Sequence, residues 1–141
     1  MQEIRLSKMQ IRNFKGIREL DIVFNGKDMN VLGDNGTGKT SIIDSFTWLL
    51  FGKDSLDRAD FGIKPTDSTG NIIHQLETSV EAVFDISGTE KVFKKTLTEV
   101  WSRKRGAAEA EFTRNENNFY IDGVPKKKVE YTTVIKELID E

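Results

Sequence analysis

Met29-Asn30-Val31-Leu32, Gly33-Asp34-Asn35-Gly36-Thr37-Gly38-Lys39-Thr40 and Ser41-Ile42-Ile43 follow one another without a break. The first piece is an apolar run suited to a strand, and the last opens a helical pattern. The middle piece is a complete G-x-x-x-x-G-K-[ST] phosphate-binding (Walker A) loop. Its glycines permit a tight turn in which successive backbone N–H groups point into one concavity able to hold phosphate oxygens. A helix that follows adds its unpaired N-terminal donors and the positive end of its dipole. Lys39 is then placed to reach the β- and γ-phosphates, and the Thr40 hydroxyl to ligate Mg²⁺. In a chain of this composition such a pattern arises by chance about once in a hundred, and the strand–loop–helix setting lowers that further.

Beyond the loop, Ile42, Ile43, Phe46, Leu49 and Leu50 recur at helical spacing. The spacing predicts an apolar helix face there, with Gly52 as C-terminal cap and Trp48 completing the core from beside the stripe. Before the loop, Met9 and Ile11 alternate with Lys8, Gln10 and Arg12, and Leu20, Ile22 and Phe24 alternate with polar partners. Two strands joined by a turn at Lys15-Gly16 therefore precede the loop, and Asn25-Gly26 signals the next turn.

Downstream, 52–74 is polar and irregular. Leu76, Thr78, Val80, Ala82, Phe84 and Ile86 alternate as a half-buried strand, Ser87-Gly88-Thr89 makes a hairpin connection, and 91–101 returns as a strand. Arg103-Lys104-Arg105-Gly106 forms a basic loop. Residues 111–114 and 119–122 are expected to be a small hairpin around Asn115–Asn118, closed by Asp122-Gly123. After Pro125, the positions Tyr131, Val134, Ile135, Leu138 and Ile139 mark an amphipathic helix.

The 141 residues fit one domain, 1–141, and the net charge of −2 offers no global attraction to nucleic acid or anionic lipid. There is no cysteine for a disulfide, a thiolate nucleophile or a cysteine zinc site. No apolar stretch approaches membrane-spanning length, and the N-terminus lacks the apolar run of a signal peptide, so a cytoplasmic location is expected. His74, without a nucleophile or metal-ligating company, reads as structural. Hydrolysis of a triphosphate calls for a second acidic strand. Ala82-Val83-Phe84-Asp85 has the alternation of a half-exposed strand, and Leu138-Ile139-Asp140-Glu141 has helical spacing. Neither reads as that element, and a chain ending inside a helix reads as a fragment.

Met9-Gln10-Ile11-Arg12-Asn13-Phe14-Lys15-Gly16-Ile17, taken with the segment from Gly33 to the Leu50-Phe51-Gly52 helix end, resembles the N-terminal half of the ATPase head of the SMC/RecF/RecN/SbcC group. SbcC-type double-strand-break repair ATPases, including prophage-encoded relatives, are the nearest subgroup. The resemblance is strong over about 50 residues and implies an α/β P-loop NTPase, the N-terminal lobe of an ABC-ATPase-like head. It further implies a mixed sheet, an antiparallel β subsheet and few helices. Gly33, Asp34, Asn35, Gly36, Thr37, Gly38, Lys39, Thr40 and Ser41 would hold ATP, with Mg²⁺ on Thr40. Lys39 and Thr40 would be the residues acting on the phosphates. Lys15 would sit near the phosphates, and Ile63-Lys64 near the nucleotide.

No glutamine follows Gln75, so the family's glutamine loop is absent. The signature motif, acidic strand and switch histidine would come from a C-terminal half. Partners implied by the resemblance are that half, a second head in a homodimer, double-stranded DNA and a nuclease subunit. From the residues themselves, Lys15 is equally a solvated turn lysine. Lys91, Lys94, Lys95, Arg103, Lys104, Arg105 and Lys126–Lys128 read either as a DNA-contacting surface or as a solvated face. A small-metabolite kinase and a non-hydrolysing nucleotide- or DNA-binding module stand as alternatives; two strands before the loop argue against the kinase.

Overall fold

The computed structural model describes residues 4–25, 28–33, 39–53 and 63–138, with Asn25, 28–33, Lys39 and Thr40 described by their backbone. Seven strands form one sheet: β1 (Ile4–Phe14), β2 (Ile17–Asn25), β3 (Asp28–Gly33), β4 (Thr78–Ile86), β5 (Thr89–Ser102), β6 (Glu111–Ile121) and β7 (Val124–Lys126). Their spatial order is β3-β2-β1-β4-β5-β6-β7, and every pairing among the described strands is antiparallel. Two helices, α1 (Lys39–Phe51) and α2 (Lys128–Leu138), complete the α/β arrangement. The antiparallel part of the expected sheet is thus in place, with few helices beside it.

Alternation along the strands decides which face is covered. Met9, Ala82, Phe93 and Ile121 stand in one register row across β1, β4, β5 and β6, all buried. Both helices press on this face. The Phe93 ring meets Tyr131 of α2 edge-on at 5.8 Å, and Phe84 meets Phe46 of α1 at 6.2 Å. Tyr131 also ties the helices together, its hydroxyl donating to the Leu49 carbonyl at 2.8 Å. Burial pushes that phenol's pKa up, so it stays a donor.

Turn chemistry fixes the hairpins. Ser87-Gly88 and Asp122-Gly123 both carry positive φ at each residue, the geometry that matches strand twist in two-residue hairpins. Asp85, in the first acidic segment considered above, spends its carboxylate on the Gly88 N–H. Gly52 closes α1 at φ 74°, its N–H bonded to the Trp48 carbonyl.

Two expectations need correction. Residues 111–122 do not form their own hairpin: β6 is one continuous strand through Asn115–Asn118, paired with β5 from Ser102↔Glu111 to Phe93↔Ile121. A long partner strand compensated for four polar residues of poor strand propensity. The apolar stripe of α1 holds at Leu49 and Leu50, which are buried, and at Ile42 and Phe46, which pack against the core, but not at Ile43. Asp44, Ser45, Trp48 and Leu49 are buried, whereas Ile43 is 51% exposed. The carboxylate Asp44 and the aromatic Trp48, at i and i+4, share one side of the helix, where each finds a specific partner, Lys15 and Phe14.

Candidate functional site

The Asn13-Phe14-Lys15-Gly16 turn is where the sequence motif acquires a physical account. Asn13 and Lys15 both have positive φ, 52° and 51°, a conformation costing a non-glycine residue on the order of 1 kcal/mol. Surrounding contacts hold it. The Asn13 amide donates to the Glu77 carbonyl, and the Asn13 carbonyl accepts from the Thr78 hydroxyl. Phe14 is fully buried and packs on Trp48 at 5.7 Å. The Lys15 N–H donates to the Ile63 carbonyl at 2.6 Å. Held this way, Lys15 sends its ammonium to Asp44 Oδ2 at 2.6 Å, and Asp44 is 2% exposed.

This places three sequence-distant pieces at one end of the sheet. Gly33, the last residue of β3, pairs with Leu20, three residues along β2 from Ile17 at the Lys15 turn. At roughly 3.3 Å per residue, that separates the two levels by about 10 Å. Lys39 and Thr40 open α1, and Asp44 lies about one turn further on. Asp34, Asn35, Gly36, Thr37 and Gly38 lie outside the described residues. Ser41 is half-buried on the first turn of the helix. A strand ending at Gly33 and a helix starting at Lys39 are the elements between which a phosphate loop is set. Asp44 was missed in the sequence reading; its signal was a carboxylate four residues before Trp48 on one helix face.

Lys64 goes elsewhere. Its ammonium contacts Glu99 Oε2 and lies 4.6 Å from the centre of the Phe112 ring. Glu99 is the hub of this second cluster, accepting also from the Gln75 N–H and the Trp101 indole, with the His74 ring nitrogen at 2.8 Å. Burial pushes the Glu99 carboxyl up, but these donors outweigh it and hold the pKa at about 2. His74 packs edge-on against Trp101, in keeping with a structural role. Ile63 and Lys64 thus serve different neighbours: the first holds the Lys15 turn, the second the β5–β6 arm.

The basic residues do not converge on one patch. Lys91 pairs with Asp122, Lys94 lies over Tyr120, and Arg103 donates to the Ala107 and Ala108 carbonyls of its own loop. Lys104 pairs with Glu111. Lys64, Lys95 and Lys126–Lys128 line a separate groove. No described helix is long and apolar enough to cross a membrane.

Comparison with known proteins gives this geometry a family. The AAA_23 model, described as an AAA domain, matches residues 8–140. The chain belongs to the AAA_23 family. Within it, the chain is an N-terminal ATPase-head segment of the SMC, RecF and Rad50 kind. It is 42% identical over 50 residues to the DNA replication and repair protein RecF of Clostridioides difficile, covering 36% of this chain and 14% of that one. Against RecF of Bacteroides thetaiotaomicron the identity is 28% over 114 residues, covering 81% and 27%. Against the DNA double-strand break repair Rad50 ATPase of Saccharolobus solfataricus it is 30% over 89 residues, covering 61% and 10%. The chain therefore spans about a quarter or less of the length of these relatives.

Two solved structures share the fold. One, from a study of ATP-driven dimerization and DNA-stimulated activation of SMC ATPases, aligns with a TM-score of 0.60 at 15% identity over 96% of this chain and 81% of that one. The other, the recombination mediator RecF with ATP, gives 0.53 at 12% identity over 96% and 31%. The RecF and Rad50 relatives are named for DNA replication and repair, and the chain is similar to a part of each.

Proposed function

We propose that this chain is the ATP- and Mg²⁺-binding part of a DNA-repair ATPase head of the SbcC type. The observation that carries the reading is the Gly33–Thr40 pattern set between β3 and α1, with Lys15 held beside the first turns of that helix by Asp44. Backbone donors of the loop and Lys39 would bind the phosphates, and the Thr40 hydroxyl would hold Mg²⁺. Bound Mg²⁺ would supply charge neutralisation at the phosphates. Asp44 would act as a positioning residue, fixing the Lys15 ammonium at the loop's end of the sheet.

Turnover would need an acidic strand, a signature motif and a water-orienting residue from a C-terminal half of the head. The engaged form would be a homodimer of heads working on double-stranded DNA with a nuclease subunit. By itself, the chain would hold ATP with little hydrolysis. The test is equilibrium binding of ATP·Mg²⁺. Lys39→Ala removes a charge-assisted contact and is expected to weaken binding at least about tenfold. Equal affinity in variant and parent refutes the loop assignment, and brisk ATP turnover by the isolated chain refutes the half-site reading.

A further inference from the structure

Leu20, Ile11, Val80, Lys95, Phe119 and Lys126 stand side by side in one register row across β2, β1, β4, β5, β6 and β7. Leu20, Ile11 and Val80 are buried, as an inward-facing row requires. Lys95 occupies the next inward position and is only 6% exposed. Its ammonium lies 4.4 Å from the centre of the Trp48 ring and 5.4 Å from that of Phe119. It donates one long hydrogen bond, 3.3 Å, to the Trp48 carbonyl. Among the described residues no carboxylate pairs with it, although buried lysines ordinarily have such a partner. Burial and the nearby Lys128 charge lower its pKa to about 8.

Lys95 lines an open groove of about 1140 Å³ between the C-terminal end of α1, the segment around Ile63–Ile72, β6 and the start of α2. Lys64, Lys126, Lys127 and Lys128 line it too, and among the described residues no aspartate or glutamate does. Lys64 is already matched by Glu99, which leaves four lysines lining the groove without a carboxylate among the described lining residues. The Phe51 and Phe119 rings and the amides of Asn115 and Asn117, which share the inward face of β6 with Phe119, complete the walls. Glu130 caps the Lys127 N–H, so the helix end is not what makes the groove attractive to anions.

We propose that this groove binds single-stranded nucleic acid, with backbone phosphates on Lys95 and Lys126–Lys128 and bases against Phe51, Phe119 and the Asn115 and Asn117 amides. Cations along a groove together with rings and amide edges are the three chemistries a splayed strand presents partners for. A duplex keeps its bases stacked inside and cannot use a ring-lined slot. An acidic peptide is best matched by arginine forks, and no arginine among the described residues lines this groove. The volume exceeds the ~300–1,000 Å³ of ordinary small-ligand pockets, which favours an extended ligand. The groove lies at the far end of α1 from the phosphate loop, about 20 Å along a 13-residue helix, so the inference does not depend on the nucleotide reading.

The test is fluorescence anisotropy with a labelled oligothymidylate of about 12 nucleotides. The parent chain is expected to bind with a salt-dependent affinity that excess ATP·Mg²⁺ leaves unchanged. Lys127→Glu with Lys128→Glu is expected to weaken binding at least tenfold. Acidic residues at the start of α2 suit the helix dipole, so the fold is retained. Lys104→Glu with Arg105→Glu makes the same charge change in the hairpin loop and is expected to leave affinity within twofold. Absence of binding, equal losses in the two double variants, a duplex that binds as tightly, or polyglutamate that competes as well as unlabelled oligothymidylate would each overturn the proposal. The last result would assign the groove to an acidic protein segment instead.

Discussion

Glu99 and Lys95 lie four residues apart on β5, and both carry a charge out of water, yet their surroundings differ in kind. The Glu99 side chain is 2% exposed and meets Lys64, His74, the Gln75 N–H and the Trp101 indole. Lys95 has one carbonyl and two ring faces. The carboxyl is consequently held at about 2 and the ammonium at about 8: the first charge is stabilised where it sits, the second penalised. A buried charge with every hydrogen-bonding position taken is part of the scaffold. One left short of partners in a groove is available to a ligand.

The contrast is broken most sharply at Glu99. Glu99→Ala strands Lys64 over Phe112 and leaves the Gln75 N–H and Trp101 indole without their acceptor. It is expected to cost about 3 kcal/mol, as removal of one partner of a buried pair does. Thermal or urea unfolding measures it, and a loss below about 1 kcal/mol would show that the cluster is incidental. Because Ile63 holds the Lys15 turn, the same variant should loosen that turn, visible as faster amide exchange at Lys15.

Acid reads the same cluster with a somewhat smaller effect. The folded carboxyl titrates at about 2 and the unfolded one at 4.5. The folded state thus binds the proton less tightly, and its stabilisation is complete above pH 4.5 and disappears as pH falls toward 2. After allowance for solvent around the projecting β5–β6 arm, the contribution is on the order of 2 kcal/mol. Urea midpoints of the parent chain should fall across that window more steeply than those of Glu99→Gln. Parallel curves would remove Glu99 as the cause.

How legible these features were follows from how local they are. The strand and helix that flank the phosphate-loop pattern, the two preceding strands, the Ser87-Gly88 and Asp122-Gly123 turns and the Gly52 cap rest on short-range backbone chemistry, and the sequence placed them. The pairing of β6 with β5 through Asn115–Asn118 was not legible, because a partner 18 residues away at Thr98↔Glu116 decides it. On α1, Ile43 was misplaced and the burial of Asp44 and Ser45 was not legible, for a related reason. Asp44 and Ser45 are buried by what they meet, Lys15 and their own helix turn, and hydropathy carries no record of that. Lys95 was read as one of a run of basic residues. Only the register row, with Val80 on one side and Phe119 on the other, reveals that it sits at a core position.

Lys95→Met sharpens the comparison with the smallest change in stability. Methionine keeps an unbranched stem against Trp48 and Phe119 and gains sulfur–aromatic contact, while the Trp48 carbonyl retains the Gly52 N–H. Removing the poorly partnered charge is expected to leave the protein equally stable or up to about 1 kcal/mol more stable at pH 7. The sign of the pH dependence is fixed by the lowered pKa. Between about 8 and 10.5 the unfolded lysine holds its proton and the folded one has lost it, so the parent chain gains stability relative to the variant as pH rises. The advantage of the methionine variant should therefore be largest below pH 8 and shrink above it. A variant destabilised by 2 kcal/mol or more at pH 7 would make Lys95 a scaffold charge like Glu99, its role the cap of α1. A stable variant that no longer binds oligothymidylate would separate the two charges on β5 by function as well as by surroundings.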